Sequence, residues 1–368
     1  MSDTFEIFFS APPGLEPYLA DEARALGFSD LATVPGGVTC QGGWPDVWRA
    51  NLCLRGAGRV LARIGSFPVF HIAQLDKRAR KFDWASVLRP DVPVRVEVTS
   101  RKSKVYHEKA AKQRIENAIK DTIGAPIAAD APVTLMTRIE DNFLTFSVDT
   151  SGELLHKRGF KEAVNKAPMR ETLAALFLRA AGYDGSEPVF DPMCGSGTFL
   201  IEAGQIAAGM VPGSKRSFAF EQLTSFDATT WAAMRPETTS MTEHQLYGYD
   251  RDQGAVQMTT KNAKSAGLAE NCTFACQPIS ALKRPEGPPG LVIVNPPYGA
   301  RIGNRKQLFG LYASLGTAMK TEMRGWRLAM ITSDGGLAKA TGLTFKSISP
   351  PIPHGGLQVK LYLTDPMT

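Results

Sequence analysis

The chain has 368 residues, of which 43% are hydrophobic, so it can form two or three hydrophobic cores and is too long for one small binding module. Lys and Arg number 42 against 36 Asp and Glu, and the resulting net charge of +6 does not by itself indicate a nucleic-acid partner. The five cysteines form no CxxC pair and no even disulfide framework, and no apolar run of about 18 residues or secretory leader pattern occurs. These features exclude a secreted disulfide scaffold and a membrane-spanning helix, and we expect a cytoplasmic protein with free thiols and no metal site.

The first 65 residues alternate between strand and helix patterns. FEIFFS alternates apolar residues as a strand does, and apolar residues then recur at helical spacing from Leu15 to Leu26, before Gly27 ends the helix. A turn with a short strand, a helix at WPDVWRANLCL and a strand at RVLARIGSFPV follow. This order predicts a small domain of the split βαβ type.

Residues 66–160 show a second α+β pattern. A strand is predicted at 93–100 and a polar helix at 107–124. Two further strands follow, and Asp141 and Asn142 form the turn between them. The pattern predicts a second small domain.

The junction between that strand and that helix is the most basic short stretch of the chain. Residues 101–114 hold six Lys or Arg and one Glu, and residues 77–81 add four more positive charges. Positive charge with interleaved aromatic rings is typical of nucleic-acid contacts, although a solvated helix face can have the same composition. The candidate anchors are Arg101, Lys102, Lys104, Tyr106, His107 and Lys109.

Residues 165–368 alternate helices of 10–15 residues with short apolar strands. This alternation predicts a doubly wound sheet that is parallel at least in its first half. In such sheets ligands bind at the carboxyl ends of the strands. We therefore expect a nucleotide-like ligand at that edge.

The strongest motif is VFDPMCGSGTFLIEA at 189–203, where a strand ends at Asp191 and a loop with Gly195 and Gly197 leads into a helix. Small residues let a ligand approach the backbone, and the new helix presents free N–H groups. The loop matches neither the GxGxxG pattern of dinucleotide sites nor the Gly-Lys-Ser/Thr ending of triphosphate sites. An acidic residue at the strand end would repel a pyrophosphate but can hold an ammonium group. S-adenosylmethionine has such a group and no phosphate.

A second acidic residue follows the next predicted strand, LYGYD, which ends at Asp250. A carboxylate at this place can accept hydrogen bonds from both ribose hydroxyls, and Asp252 is the second candidate. The separation of 59 residues from Asp191 to Asp250 exceeds the roughly 20 of a simple unit. Either residues 210–244 are an insertion or this pairing is wrong.

The third motif is LVIVNPPYG at 291–299, an apolar strand that runs into Asn295 and two prolines. Prolines restrict the backbone and donate no hydrogen bond, so carbonyl groups remain free to face a cavity. The Asn295 side-chain oxygen and the Pro296 carbonyl can both accept from an exocyclic amino group, and Tyr298 offers a ring on which a base can stack. The motif predicts a pocket rich in hydrogen-bond acceptors.

The DPMCGSGTFLIEA and NPPYG motifs together resemble the class I S-adenosylmethionine-dependent methyltransferases that modify exocyclic amino nitrogens. The basic unit upstream looks like a THUMP domain preceded by a ferredoxin-like companion. With KAPMRETLAA at 166–175, the order is similar to the RNA guanine-N2 methyltransferases, most closely the large-subunit rRNA enzymes. The resemblance implies a ferredoxin-like domain at 1–65, a THUMP RNA-binding domain at 66–160 and a Rossmann-like methyltransferase domain at 165–368.

The resemblance also implies S-adenosylmethionine as the cofactor, RNA as the partner and a single modification, because the chain ends before the second methyltransferase domain of some relatives. It assigns cofactor binding to Asp191, Pro192, Cys194, Gly195, Gly197 and Asp250. It assigns catalysis to Asn295, Pro296, Pro297 and Tyr298. Gln277 and Ser280 stand where many such enzymes have an Asp for the cofactor adenine, and the Cys194 side chain is expected to serve packing.

Alternatives remain for the acceptor and for the class of protein. NPPY also occurs in adenine-N6 DNA and glutamine-N5 protein methyltransferases, and the basic N-terminal segment is what favours RNA. The tRNA guanine-N2 enzymes share the same modules and are the nearest rival. A non-catalytic RNA-binding or ribosome assembly factor is the rival from another class, and the intact Asp191, Gly195, Gly197 and Asn295 argue against it.

Overall fold

The structure is a computed structural model that describes residues 4–160, 169–235, 245–299 and 305–368. The chain divides into two compact units. The first unit comprises residues 1–11, 19–155 and 213–236, and the second comprises 12–18, 156–212 and 237–368.

The elements up to residue 160 follow the predicted order closely. They are β1 (Phe5–Ser10), α1 (Glu16–Ala25), β2 (Ala32–Val34), β3 (Gly37–Gly42), α2 (Trp44–Cys53), β4 (Val60–Pro68), α3 (Ile72–Lys81), β5 (Val94–Arg101), α4 (Glu108–Ile123), β6 (Val133–Glu140) and β7 (Phe143–Asp149). The polar helix predicted at 107–124 is α4, which ends where Gly124 adopts a left-handed conformation with φ of 76°. The basic residues 77–81 form the end of α3, which the sequence analysis did not identify as a helix.

The first unit contains one seven-stranded sheet in the order β2-β3-β1-β4-β7-β6-β5. Its first four strands have the order expected of a split βαβ domain, with β1 antiparallel to both β3 and β4. Strand β4 also pairs along its length with β7, so the segments 1–65 and 66–160 share this sheet. Their division into two domains stays a prediction.

The elements from residue 169 to 332 largely follow the predicted order, and three consecutive strands lie between 347 and 363. They are α5 (Glu171–Ala180), β8 (Val189–Asp191), α6 (Thr198–Ala207), α7 (Ala228–Met234), β9 (Leu246–Asp250), α8 (Gln253–Ser265), β10 (Cys272–Cys276), β11 (Leu291–Val294), α9 (Arg305–Glu322), β12 (Arg327–Thr332), α10 (Gly335–Ala340), β13 (Ser347–Ile348), β14 (Ile352–His354) and β15 (Leu357–Leu363).

The sheet of the second unit has the order β10-β9-β8-β11-β12-β15-β13, and β14 pairs with β15. Strands β8 to β12 are parallel, and β15 is antiparallel to β12. This confirms the Rossmann-like, doubly wound sheet that the sequence predicts. The order reverses between β8 and β11, and a ligand crevice forms at such a reversal, beside the carboxyl ends of the strands.

Residues 213–235 belong to the first unit, although along the chain they lie between two segments of the second. Strand β8 pairs directly with β9, although the two are far apart in sequence. Within the first unit, Phe220 stacks on Trp48 with ring centroids 6.0 Å apart and meets Trp231 edge-on at 5.0 Å. The Phe220 N–H also donates to the Thr150 carbonyl at 3.1 Å. Of the two alternatives, the direct pairing of β8 with β9 favours an insertion between Asp191 and Asp250.

Candidate active site

The glycine loop, residues 191–197, connects the carboxyl end of β8 to the first turn of α6. Gly195 and Gly197 both have positive φ, 55° and 80°, a backbone conformation that non-glycine residues rarely adopt. A Cβ added to Gly197 would lie 2.7 Å from the Cγ2 of Thr259, so the space also requires glycine there. Pro192 is buried in the turn after β8.

Asp250 contacts the glycine loop directly. One carboxylate oxygen of Asp250 accepts from the Gly195 N–H at 3.1 Å, and the other accepts from the Asp252 N–H at 3.0 Å. The Cys194 N–H donates to the Tyr249 carbonyl at 2.9 Å, which ties the loop to the end of β9. The structure therefore brings the two predicted acids, Asp191 and Asp250, to one edge of the sheet. Asp252 serves as the N-cap of α8, where its carboxylate accepts from the Gly254 N–H.

Asp191 lies beneath the loop and is 2% exposed. Its carboxylate accepts from the Met193 N–H at 3.1 Å. Burial raises the pKa of Asp191 to about 8; the Met193 N–H opposes this rise, and the nearby charge of Asp250 adds to it. A cation bound next to this carboxyl would favour its ionised form.

Cys194 has a buried side chain whose sulfur lies 3.5 Å from the Thr259 hydroxyl. Burial raises the pKa of this thiol far above its ordinary value, and the Asp191 carboxyl adds to the effect. A thiol that stays protonated is a poor nucleophile. The predicted packing role fits this environment.

Two residues of α8 that the sequence analysis did not single out contact the loop. The Thr259 hydroxyl donates to the Gly195 carbonyl at 2.7 Å, and the Asn262 amide donates to the Ser196 carbonyl at 3.0 Å. Both side chains are fully buried. Their spacing of three residues, which places both polar side chains on one face of the helix, was the signal in the sequence that could have identified them.

The NPPY motif begins directly after β11, whose four residues are fully buried. Because β11 pairs in parallel with β8, Asn295 and Asp191 lie at the same edge of the sheet. The Asn295 side-chain oxygen is buried and has no hydrogen-bond partner among the described residues. Such an oxygen is costly to leave unsatisfied unless a ligand supplies the donor.

Two tyrosines connect the NPPY loop to the apolar core: Tyr298, which belongs to the loop, and Tyr312, which belongs to the core. Tyr298 packs against the core cluster that contains Tyr312, and burial raises the pKa of Tyr298 to about 12. The Tyr312 hydroxyl lies 3.0 Å from the Thr332 hydroxyl and 3.4 Å from the Pro297 carbonyl. The Pro297 carbonyl is therefore directed to the protein interior.

The turn between β14 and β15 also lies beside this motif. A Cβ placed on Gly299 would be 3.8 Å from the Leu357 side chain, which is 40% exposed. His354 precedes the turn, and burial lowers its pKa, with the positive charge of Arg170 adding to the effect. No sequence pattern near the motif predicts this contact, because the turn lies far from it along the chain.

The six predicted RNA anchors are all exposed in the first unit. The loop between β5 and α4, which carries four of them, is held by Asn142, whose side chain accepts from the Lys104 N–H at 2.8 Å and whose N–H donates to Ser103 at 3.0 Å. Phe70 and Phe143, 42% and 49% exposed, join Tyr106 among the exposed large apolar side chains. The Lys104 ammonium lies 5.6 Å from the centre of the Phe70 ring, so aromatic and basic groups meet at this surface.

Within the described ranges, no three or more His, Cys, Asp or Glu side chains are grouped in a way that could hold a metal ion. None of the described helices is long and apolar enough to span a membrane.

Residues 158–348, just over half of the chain, match the family described as the RMKL-like methyltransferase domain. The chain belongs to this methyltransferase family. Residues 6–61 match the RlmL ferredoxin-like domain, which confirms the ferredoxin-like fold predicted at the start of the chain.

Relatives with names and solved structures are similar over nearly the whole chain. A protein of Syntrophotalea carbinolica named ribosomal RNA large subunit methyltransferase K/L is 33% identical over 93% of this chain and 51% of its own length. The chain spans about half the length of the curated relatives it matches.

Two solved structures share the fold at full length. SMU.472, a methyltransferase in complex with S-adenosylhomocysteine (SAH), has a TM-score of 0.85 and 26% identity, and the match covers 100% of both chains. A protein of Listeria monocytogenes titled as an N6-adenine-specific DNA methylase has a TM-score of 0.86 and 28% identity, with 98% of this chain and 96% of that chain covered. The curated relatives are named for ribosomal RNA and the Listeria structure is titled for DNA, so the shared fold does not choose the acceptor.

Proposed function

We propose that this protein transfers a methyl group from S-adenosylmethionine to the exocyclic N2 amine of a guanosine in RNA, in the large-subunit rRNA. The observation that carries this proposal is the buried Asn295 side-chain oxygen, which has no partner among the described residues and follows the strand next to the one that leads into the glycine loop. An exocyclic amine is the donor that this oxygen lacks.

The residues at the glycine loop fit S-adenosylmethionine, which supplies an activated methyl group when bound. The buried Asp191 carboxyl suits the ammonium of the amino-acid moiety. Asp250, at the end of β9, is placed to accept from ribose hydroxyls. The glycines leave room for the cofactor to contact the backbone. The SAH complex of SMU.472 supports the same cofactor.

Catalysis by this chain would be mostly positioning of the acceptor amine. An amine attached to a purine is a poor nucleophile because its lone pair is delocalised into the ring. When Asn295 and the Pro296 carbonyl accept its two hydrogens, they orient the nitrogen and favour its pyramidal form. Tyr298, held by the core, would stack on the base.

The RNA would be held by the basic and aromatic surface of the first unit, formed by the six predicted anchors with Phe70 and Phe143. The target nucleotide must leave its stack to enter a pocket, at a cost of a few kcal/mol that contacts to phosphates can offset. The names of the curated relatives support rRNA as the acceptor. The THUMP identity of residues 66–160 and the cytoplasmic location belong to the same proposal.

The experiment that tests this proposal offers labelled methyl donor with undermodified rRNA, tRNA, DNA or a release-factor protein. We expect label in rRNA, recovered as N2-methylguanosine by mass spectrometry of nucleosides. Label in tRNA alone would support the tRNA enzyme, and label in DNA or protein alone would overturn RNA as the acceptor. SAH binding without transfer to any acceptor would favour the non-catalytic assembly factor.

Asn295→Ala tests the residue that carries the proposal. We expect transfer to fall below detection while the dissociation constant of SAH, measured by calorimetry, changes by less than about threefold, because Asn295 contacts the acceptor. Asn271→Ala is the matched control, since Asn271 is a buried asparagine before β10, at the opposite ends of the strands. Transfer retained by Asn295→Ala would contradict the role of Asn295.

A further inference from the structure

We infer that Thr259 and Asn262 of α8 are positioning residues for cofactor binding, because they fix the backbone of the glycine loop in its ligand-binding conformation. This inference rests on the proposed function, since it takes the loop as the cofactor site. Neither residue belongs to the motif from which that site is predicted.

The two side chains act on successive peptide groups of the loop. Thr259 donates to the Gly195 carbonyl at 2.7 Å and Asn262 donates to the Ser196 carbonyl at 3.0 Å. Both side chains are 0% exposed. A buried hydroxyl or amide costs free energy unless it is hydrogen-bonded. Here the two bonds run from α8 to the loop, so both are made only when the loop has this conformation.

The planarity of the peptide group links these carbonyls to the donors of the loop. In a trans peptide the carbonyl and the following N–H point in opposite directions. When Thr259 holds the Gly195 carbonyl toward α8, the Ser196 N–H must point away from α8. The Gly197 N–H, which follows the Ser196 carbonyl, donates to the Cys194 carbonyl at 2.7 Å.

The Ser196 N–H is consequently the donor that the loop leaves for a ligand. Within the described part of the chain, no hydrogen bond uses this N–H. It lies one residue before Gly197, the N-cap of α6, where the helix dipole also favours negative charge. The cofactor is an amino-acid derivative, and its carboxylate is an acceptor of matching charge and chemistry.

Thr259 also packs against the loop through its methyl group. A Cβ on Gly197 would lie 2.7 Å from the Thr259 Cγ2, which shows how closely the methyl approaches the loop backbone. Packing and hydrogen bonding can be separated by substitution. Thr259→Val keeps the shape and removes the hydroxyl, whereas Thr259→Ser keeps the hydroxyl and removes the methyl.

The test measures the dissociation constant of SAH for the full chain by calorimetry. We expect Thr259→Val to weaken SAH binding about tenfold, because one hydrogen bond that orients the loop is lost. Thr259→Ser should stay within about threefold of the wild type. Thr260→Val is the matched control, since the exposed Thr260 hydroxyl on the same helix donates to the Val256 carbonyl of its own helix. Its affinity for SAH should equal that of the wild type.

Steady-state kinetics separates positioning from a general loss of structure. Thr259→Val should raise the KM for S-adenosylmethionine about tenfold and leave kcat at saturating cofactor unchanged, because the acceptor pocket is intact. Asn262→Ala should likewise raise the KM for S-adenosylmethionine. If Thr259→Val and Thr259→Ser weakened SAH binding equally, packing and not the hydrogen bond would explain the effect, and the inference would be overturned. Wild-type affinity for SAH in Thr259→Val would overturn it as well.

Failure of the proposed function gives different results. If the wild type bound no SAH, both proposals would be overturned. If the wild type bound SAH and methylated DNA instead of RNA, the proposed acceptor would be wrong, while the comparison of Thr259→Val with Thr259→Ser would still decide the role of Thr259.

Discussion

Replacement of Asp191 by Asn is expected to stabilise the protein at neutral and alkaline pH while weakening its affinity for SAH. The Asp191 carboxyl is 2% exposed, and burial raises its pKa from 3.8 to about 8. Between these two values the unfolded chain releases the proton and the folded chain retains it. The folded state therefore binds more protons, and the free energy of unfolding falls as the pH rises through this window.

The magnitude follows from the separation of the two pKa values. Each pH unit between about 4 and 8 should lower the stability of the wild type, relative to Asp191→Asn, by about 1.4 kcal/mol. From pH 5 to pH 8 the difference would reach about 4 kcal/mol as an upper limit, because relaxation around the carboxylate reduces the cost of its burial. Asparagine keeps an oxygen that can accept from the Met193 N–H, so this bond is retained.

The assay is urea unfolding of both proteins at four pH values from 5 to 8. Asp184→Asn is the control, because hydrogen bonds from Ser186 lower the pKa of the exposed Asp184 and its titration is complete below this window. The difference between Asp184→Asn and the wild type should not change with pH. A difference for Asp191→Asn that stays flat, or that falls with rising pH, would refute the reasoning about the buried carboxyl.

Three further changes test other parts of the molecule. Glu202→Ala removes the carboxylate of a buried ion pair, in which Glu202 is 1% and Arg158 4% exposed. It should lower the free energy of unfolding, measured by denaturation curves, by about 3–5 kcal/mol. Asp21→Ala, which breaks an exposed pair, should lower it by less than about 1 kcal/mol. Gly197→Ala should cost about 1–2 kcal/mol because its φ is 80°, and should also weaken SAH binding as measured by calorimetry, because the new Cβ displaces Thr259. Glutamate at the three basic positions before Tyr106 should weaken RNA binding and flatten its salt dependence in filter-binding assays, with SAH affinity unchanged; unchanged RNA binding would contradict the assigned surface. These positions are Arg101, Lys102 and Lys104.

Local sequence patterns were sufficient for most elements of the fold. The strand predicted just before Asp141 is β6, and the strand LYGYD is β9, because alternating or continuous apolar residues decide which local conformation buries its side chains. Helix α3 was missed, since its basic residues 77–81 form a mostly exposed face with few buried positions to reveal a helical period. The antiparallel strand β15 was missed as well. Its position between β12 and β13 depends on pairing partners that the local pattern does not specify.

The sequence by itself determined the motifs of the candidate site, because the glycines at 195 and 197, the acid at 191 and the Asn-Pro-Pro-Tyr segment have conformational and chemical properties that do not depend on distant residues. It also determined that the positive charge is concentrated at 101–114. Only the tertiary structure decided which distant side chains complete the site. Thr259 and Asn262 reach the loop because α8 packs beside it, and the segment 213–236 joins the first unit through its aromatic rings. Such contacts depend on strand order and burial, which arise when segments far apart in the chain pack together, and no local pattern encodes them.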